Sequence, residues 1–177
     1  MRIIGRALIV AAAVVGLAAC SSPAPSQAPS PAPAPAPVQA LPACTVDDIT
    51  VTGEPGGRPA ITVPDTCSPP TALLSKDLVV GTGPEVAAGS TVDTQYVLVT
   101  WSDKRELDAS WNRGETFALE NVGQAPVIDG WNEGVVGMKE GGRRLLIIPP
   151  DKGYGAGGRG IAPNETLVFV VDAAQVT

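Results

Sequence analysis

The sequence predicts an α+β domain in which an antiparallel β-sheet wraps around one short α-helix. Two observations predict it. Short runs rich in Val, Ile, Thr and aromatic residues recur between Gly and Pro from Cys44 onward, and one stretch alone repeats apolar residues at helical spacing. A length of 177 residues suits one such domain with appendages.

Taken in order, the first segment is a targeting signal. Arg2 and Arg6 form a basic start, Ala7 to Ala19 an uncharged apolar run of 13 residues, and Leu17-Ala18-Ala19-Cys20 resembles the lipobox of bacterial lipoproteins. Thirteen helical residues span about 20 Å, short of a hydrocarbon core about 30 Å thick, so a spanning helix is the poorer reading. Residues 1–19 are therefore expected to be a cleaved signal peptide, with Cys20 acylated and holding the mature protein on the outer face of a membrane. From Cys20 to residue 42 runs a tether. Its 22 residues after Cys20 hold eight Pro and six Ala and no charge, a composition that favours extended polyproline II over a packed core. Residues 43–75 read as an N-terminal extension. With Cys20 assigned to lipid, Cys44 and Cys67 are left as a pair in an oxidising compartment and are expected to form a disulfide.

The strand signals are Ile49 to Thr52, Ala60 to Val63, Asp77 to Val80, Thr91 to Trp101, Arg143 to Ile148 and Thr166 to Val176. In the longest, Val92, Tyr96 and Leu98 alternate with Asp93 and Gln95, which suits a sheet with one wetter face at its start. The helix is expected to start with Asp129 as its cap. Trp131, Val135 and Met138 then fall on one face until Gly141-Gly142 stops it.

Composition excludes several chemistries. The chain has no His, which removes Ser-His-Asp and Cys-His nucleophile systems and His-ligated zinc; no metal and no cofactor are expected. Net charge is −6, and the basic residues cluster no more tightly than pairs such as Arg143-Arg144, so nucleic acid is not an expected partner. Gly153 to Gly158 matches G-x-G-x-x-G, yet Pro149-Pro150 precedes it and a Gly-rich loop follows, where a dinucleotide site needs a strand before and a helix after.

The runs Val80-Gly81-Thr82-Gly83-Pro84, Val127-Ile128-Asp129-Gly130-Trp131-Asn132-Glu133-Gly134 and Gly137-Met138-Lys139-Glu140-Gly141-Gly142 resemble the FKBP-type peptidyl-prolyl isomerase family. So do Ile148-Pro149-Pro150, Tyr154-Gly155 and Pro163 to Phe169, in the family's order, which places the isomerase domain at residues 76–177. The resemblance implies an FKBP-like sheet and helix, and rotation about X-Pro amides in proline-containing polypeptides of the envelope or secreted fraction. It also implies macrolides of the rapamycin class as inhibitors. Carried over by position, the catalytic pocket is Tyr96, Asp108, Phe117, Ile128, Trp131, Tyr154 and Phe169, with Leu107, Arg113, Val127 and Ile161 contacting substrate. Five of the seven aromatic residues thereby fall on pocket positions; Trp101 and Trp111 either line the pocket rim or cover the sheet. Leu107 stands where the family usually has Phe, which favours a second reading: a poorly active binding or chaperone module on the same fold.

Overall fold

The computed structural model describes residues 40–177. The expected signal peptide, Cys20 and most of the tether lie outside the described residues. None of the described helices is long and apolar enough to cross a membrane.

Among the described residues, eight strands form two sheets. β1 (Thr50–Thr52) and β2 (Ala60–Thr62) make a small antiparallel hairpin. The main sheet contains β3 (Leu74–Val79), β4 (Val92–Thr100), β5 (Glu106–Ala109), β6 (Phe117–Leu119), β7 (Arg143–Ile148) and β8 (Leu167–Val176). Its order is β3-β7-β8-β4-β5, all pairs antiparallel, and β6 also pairs with β4. β5 and β6 were not expected from sequence. They run along one edge of β4 and are interrupted between Ala109 and Phe117, where the ladder breaks opposite Gln95 and Tyr96. The fully buried Ser110 repairs the break: its hydroxyl accepts from the Tyr96 N–H at 2.8 Å and donates to Gln95 Oε1 at 2.5 Å.

The helix α1 (Asp129–Gly134) is shorter than its apolar spacing implies, and Asp129 does not cap it. Ile128, in extended conformation, holds the cap position, and Asp129 sits in the first turn, where its charge meets the positive end of the helix dipole. Val135 and Met138 are buried as expected, but in the turn that follows, which Gly137 closes with φ +79°.

Two contacts place α1. A Cβ on Gly130 would lie 2.4 Å from Ile148 Cγ2 and one on Gly134 2.8 Å from Leu146 Cδ2, so these two glycines let the helix ride directly on β7. The buried Arg144 donates to the carbonyls of Gly134 and Val136, each at 2.8 Å, and pairs with Asp77 on β3 at 2.6 Å. A cation thus satisfies the helix C-terminus and ties it to the sheet edge.

Alternate residues of β7 and β8 face two separate cores. Leu146, Ile148, Leu167, Phe169 and Val171 join Trp131, Val135 and Met138 under the helix. Leu145, Ile147, Val168 and Val170 join Cys44, Ile49, Val63 and Cys67 of the extension on the other face. Both faces are covered, which is why β7 is buried at every position and reads as an unbroken apolar run after its two arginines. The disulfide Cys44–Cys67 is formed and lies in the second core. Arg143 anchors the extension further. It pairs with Asp172 at 2.6 Å and donates to the carbonyls of Gly53, Glu54 and Gly57 in the hairpin turn.

Candidate active site

Between α1 and the main sheet opens a cleft of about 960 Å³. Its floor is aromatic. The Trp131 ring stands edge-on to Tyr96 and to Phe169, with centroids 5.4 Å away in both cases, and to Phe117 at 5.9 Å. Tyr96 completes the set, 6.1 Å from Phe117 and 6.1 Å from Phe169. The period-2 pattern of β4 and β8 brings Tyr96, Leu98 and Phe169 to the same face, and the close seat of α1 on β7 presses Trp131 between them. Such edge-to-face clusters are favourable beyond their burial, about 0.5–1.5 kcal/mol per pair.

One wall is polar. The Tyr96 hydroxyl donates to Asp108 Oδ2, Arg113 donates to Asp108 Oδ1 at 2.7 Å and to the Tyr96 oxygen at 2.8 Å, and the guanidinium lies 5.6 Å from the Tyr96 ring centre. Burial pushes the Asp108 carboxyl up, but the hydrogen bond from Tyr96 and the bonds and charge of Arg113 outweigh it and hold the group below its ordinary value. Burial, and then the neighbouring carboxylate, push the Tyr96 phenol up, so it stays protonated and donates.

Of the residues expected at the site, Tyr96, Leu107, Asp108, Phe117, Val127, Ile128, Trp131, Tyr154, Ile161 and Phe169 all line the cleft. Arg113 stands behind it, on Asp108 and Tyr96. Among the described residues no protein group hydrogen-bonds the Ile128 N–H or the Tyr154 hydroxyl, leaving a donor on the helix side and one on the loop side. Trp101, 7% exposed, belongs to the second core and Trp111 packs on it, so both cover the far face of the sheet. Further lining comes from Leu98, Leu119, Glu120, Pro126, Asp129 and Arg159. Leu98 lies two residues from Tyr96 on a strand legible in the sequence, so strand period identifies it, whereas Leu119, two residues from Phe117, lies on β6, which was not. Glu120 and Pro126 carry no such signal.

A six-stranded antiparallel sheet, a single helix packed on it and an aromatic cleft between them define the FKBP fold class. The profile of FKBP-type peptidyl-prolyl cis-trans isomerases matches residues 83–173. The chain is 51% identical over 111 residues to an FK506-binding protein of Streptomyces anulatus, covering 61% of this chain and 89% of that one. It is 41% identical over 116 residues to a probable FK506-binding protein of Corynebacterium glutamicum, covering 65% and 95%. The crystal structure of FkpA from Escherichia coli superposes with a TM-score of 0.55 at 38% identity, over 60% of this chain and 49% of that one. The chain belongs to the FKBP-type peptidyl-prolyl cis-trans isomerase family.

Proposed function

We propose that this isomerase is exported, lipid-anchored through Cys20, and accelerates X-Pro rotation in envelope or secreted polypeptides within the aromatic cleft. One observation carries the assignment of the site. Tyr96, Phe117, Trp131 and Phe169 form an aromatic floor, beneath a mouth where the Ile128 N–H and the Tyr154 hydroxyl have no protein partner among the described residues.

Amide resonance sets a barrier of about 20 kcal/mol, and uncatalysed X-Pro exchange takes tens of seconds. In the twisted transition state the nitrogen leaves conjugation and the carbonyl becomes less polar than in the planar amide, so water favours the planar form. A dry aromatic floor removes that preference, and each 1.4 kcal/mol or so of differential stabilisation is about tenfold in rate. The Ile128 N–H and Tyr154 hydroxyl donate to substrate carbonyls and hold the peptide bent about the proline. No proton moves between heavy atoms. Asp108, kept ionised by Tyr96 and Arg113, orients the Tyr96 ring and takes no part as a base. Macrolides of the rapamycin class would occupy the same cleft.

The isomerase assignment is tested on short X-Pro peptides in a protease-coupled or NMR-exchange assay; inactivity on several such peptides overturns it and favours the binding-module reading, to which Leu107 points. The anchor is tested separately. Cys20→Ser should abolish metabolic lipid labelling and leave the precursor uncleaved, and a labelled Cys20→Ser protein refutes it.

A further inference from the structure

The loop that carries Tyr154 contains a second residue aimed at the same cleft. After Tyr154 the chain makes a tight turn in which the Gly158 and Ile161 N–H and C=O groups bond reciprocally at 3.0 Å. Ile161, 7% exposed, is rooted in the core, so the turn is fixed against the cleft wall. Both central residues have positive φ, Arg159 at +54° and Gly160 at +83°. That is the conformation of a type I′ turn, for which Gly and Asn are the natural occupants. Glycines stand at 157, 158 and 160, and an arginine occupies the remaining position against its backbone preference. A long cation held in an unfavourable conformation at a binding cleft points to a role for its side chain.

The other charges at the cleft are accounted for differently. Asp108 is neutralised by Arg113, and nearby Lys152 is committed to Glu133 at 2.6 Å. Glu120 and Asp129, on the segment from Phe117 to Trp131, are exposed and have no ion-pair partner among the described residues; neither has Arg159. Among the described residues, the charged side chains lining the cleft outside an ion pair are thus Glu120, Asp129 and Arg159, and Arg159 is the cation of the three. With the chain at net −6, Arg159 is the feature of the mouth that attracts an acidic peptide.

We infer that Arg159 is a specificity-determining residue, whose guanidinium selects X-Pro segments carrying a carboxylate next to the proline on the side that faces the Tyr154 loop. The inference rests on the cleft being the substrate site. Planar, forked donors suit a carboxylate, and at an exposed rim the attraction acts mainly on substrate capture.

The test uses peptide sets identical except for Glu, Gln or Lys immediately before or immediately after the proline. The quantity read is the Glu/Gln ratio of kcat/KM, in which any general effect of a substitution cancels. In the wild-type chain at low salt, one of the two Glu placements should exceed its Gln counterpart about two- to fivefold, chiefly through KM, and the advantage should vanish near 0.5 M salt. Arg159→Gln should bring the ratio to one or below, and Arg159→Glu should take it further below one and raise the Lys peptide above the Gln peptide. A wild-type ratio of one at both placements, or a ratio that survives in Arg159→Glu, overturns the inference. Titration of intrinsic tryptophan fluorescence with the same peptides, in which Trp131 is the tryptophan that lines the cleft, separates this from the catalytic reading. Arg159-dependent binding preference without turnover upholds the selection and sinks catalysis, whereas turnover without charge preference sinks the selection alone.

Discussion

Trp131→Leu tests whether the aromatic floor does the catalysis or merely holds the domain together. Trp131 is 4% exposed and in edge contact with three rings, so the substitution removes six heavy atoms from a packed position. A gap of that size in a closed core costs about 2 kcal/mol; here one side opens on the cleft, so about 1–2 kcal/mol is expected. A domain with 5–15 kcal/mol of stability tolerates this, and Tm should fall by roughly 4–7 °C. The proline ring meanwhile loses the indole face, and if that face contributes about 1.4 kcal/mol more to the twisted than to the planar amide, kcat/KM falls about tenfold. The structure supplies the control. Trp101 is 7% exposed but lies in the second core, so Trp101→Leu should cost similar stability and leave kcat/KM unchanged. The assay is exchange on an X-Pro peptide at a temperature where circular dichroism shows both variants folded. Equal loss of activity in the two variants, or full turnover by folded Trp131→Leu, refutes the assignment.

Four further outcomes follow from the geometry. Asp108 has a folded pKa below its unfolded value, so its contribution to stability is present above about pH 4 and is lost as pH falls through the lower folded value; Tm measured against pH should show an acid decline that is shallower in Asp108→Asn, and equal slopes would contradict the pairing. Activity should be flat from about pH 5 to 8, since no proton transfer is required. Reducing the Cys44–Cys67 disulfide, which closes a separation of 23 residues, should lower stability by roughly 3 kcal/mol, with the exchange rate kept while the domain is folded. Arg143→Met strips Asp172, whose side chain is 13% exposed, of its partner and should cost about 3–5 kcal/mol, while the double change Arg143→Met with Asp172→Leu should recover in denaturant titrations the part due to the unpaired carboxylate but not the bonds to Gly53, Glu54 and Gly57.

The parts of the fold legible in the sequence are those that need only their own residues. β4, β7 and β8 are long, apolar and bounded by Pro or Gly, and the cleft residues sit in runs whose joint resemblance to one family is specific. β5 and β6 escaped because four and three residues carry little propensity of their own; they are strands only because the edge of β4 pairs them. The helix was read too long for a related reason, since Val135 and Met138 are spaced for a helix yet reach the core from a turn closed by Gly137. The adjacent arginines show the limit most clearly. In sequence they are a basic pair; in the strand, alternation sends Arg144 to Asp77 and the helix end, and Arg143 to Asp172 and the hairpin turn.

That divergence bears on what holds the site in place. The family match begins at residue 83, yet alternate buried residues of β7 and β8 face the extension that precedes it. Leu145, Ile147, Val168 and Val170 are wholly buried, and the partners covering them include Ile49, Val63 and the disulfide. On the opposite side of the same strands, Leu146, Ile148 and Phe169 seat the helix and the cleft floor. A strand buried on both faces is positioned by both cores, and close packing leaves little slack for one face to shift while the other stays. Arg143 and Arg144 pin that strand from each side at its first two residues. The extension therefore belongs to the support of the cleft: it fixes the sheet from behind, and the sheet in turn fixes Tyr96, Phe169 and, through Gly130 and Gly134, the helix that carries Trp131.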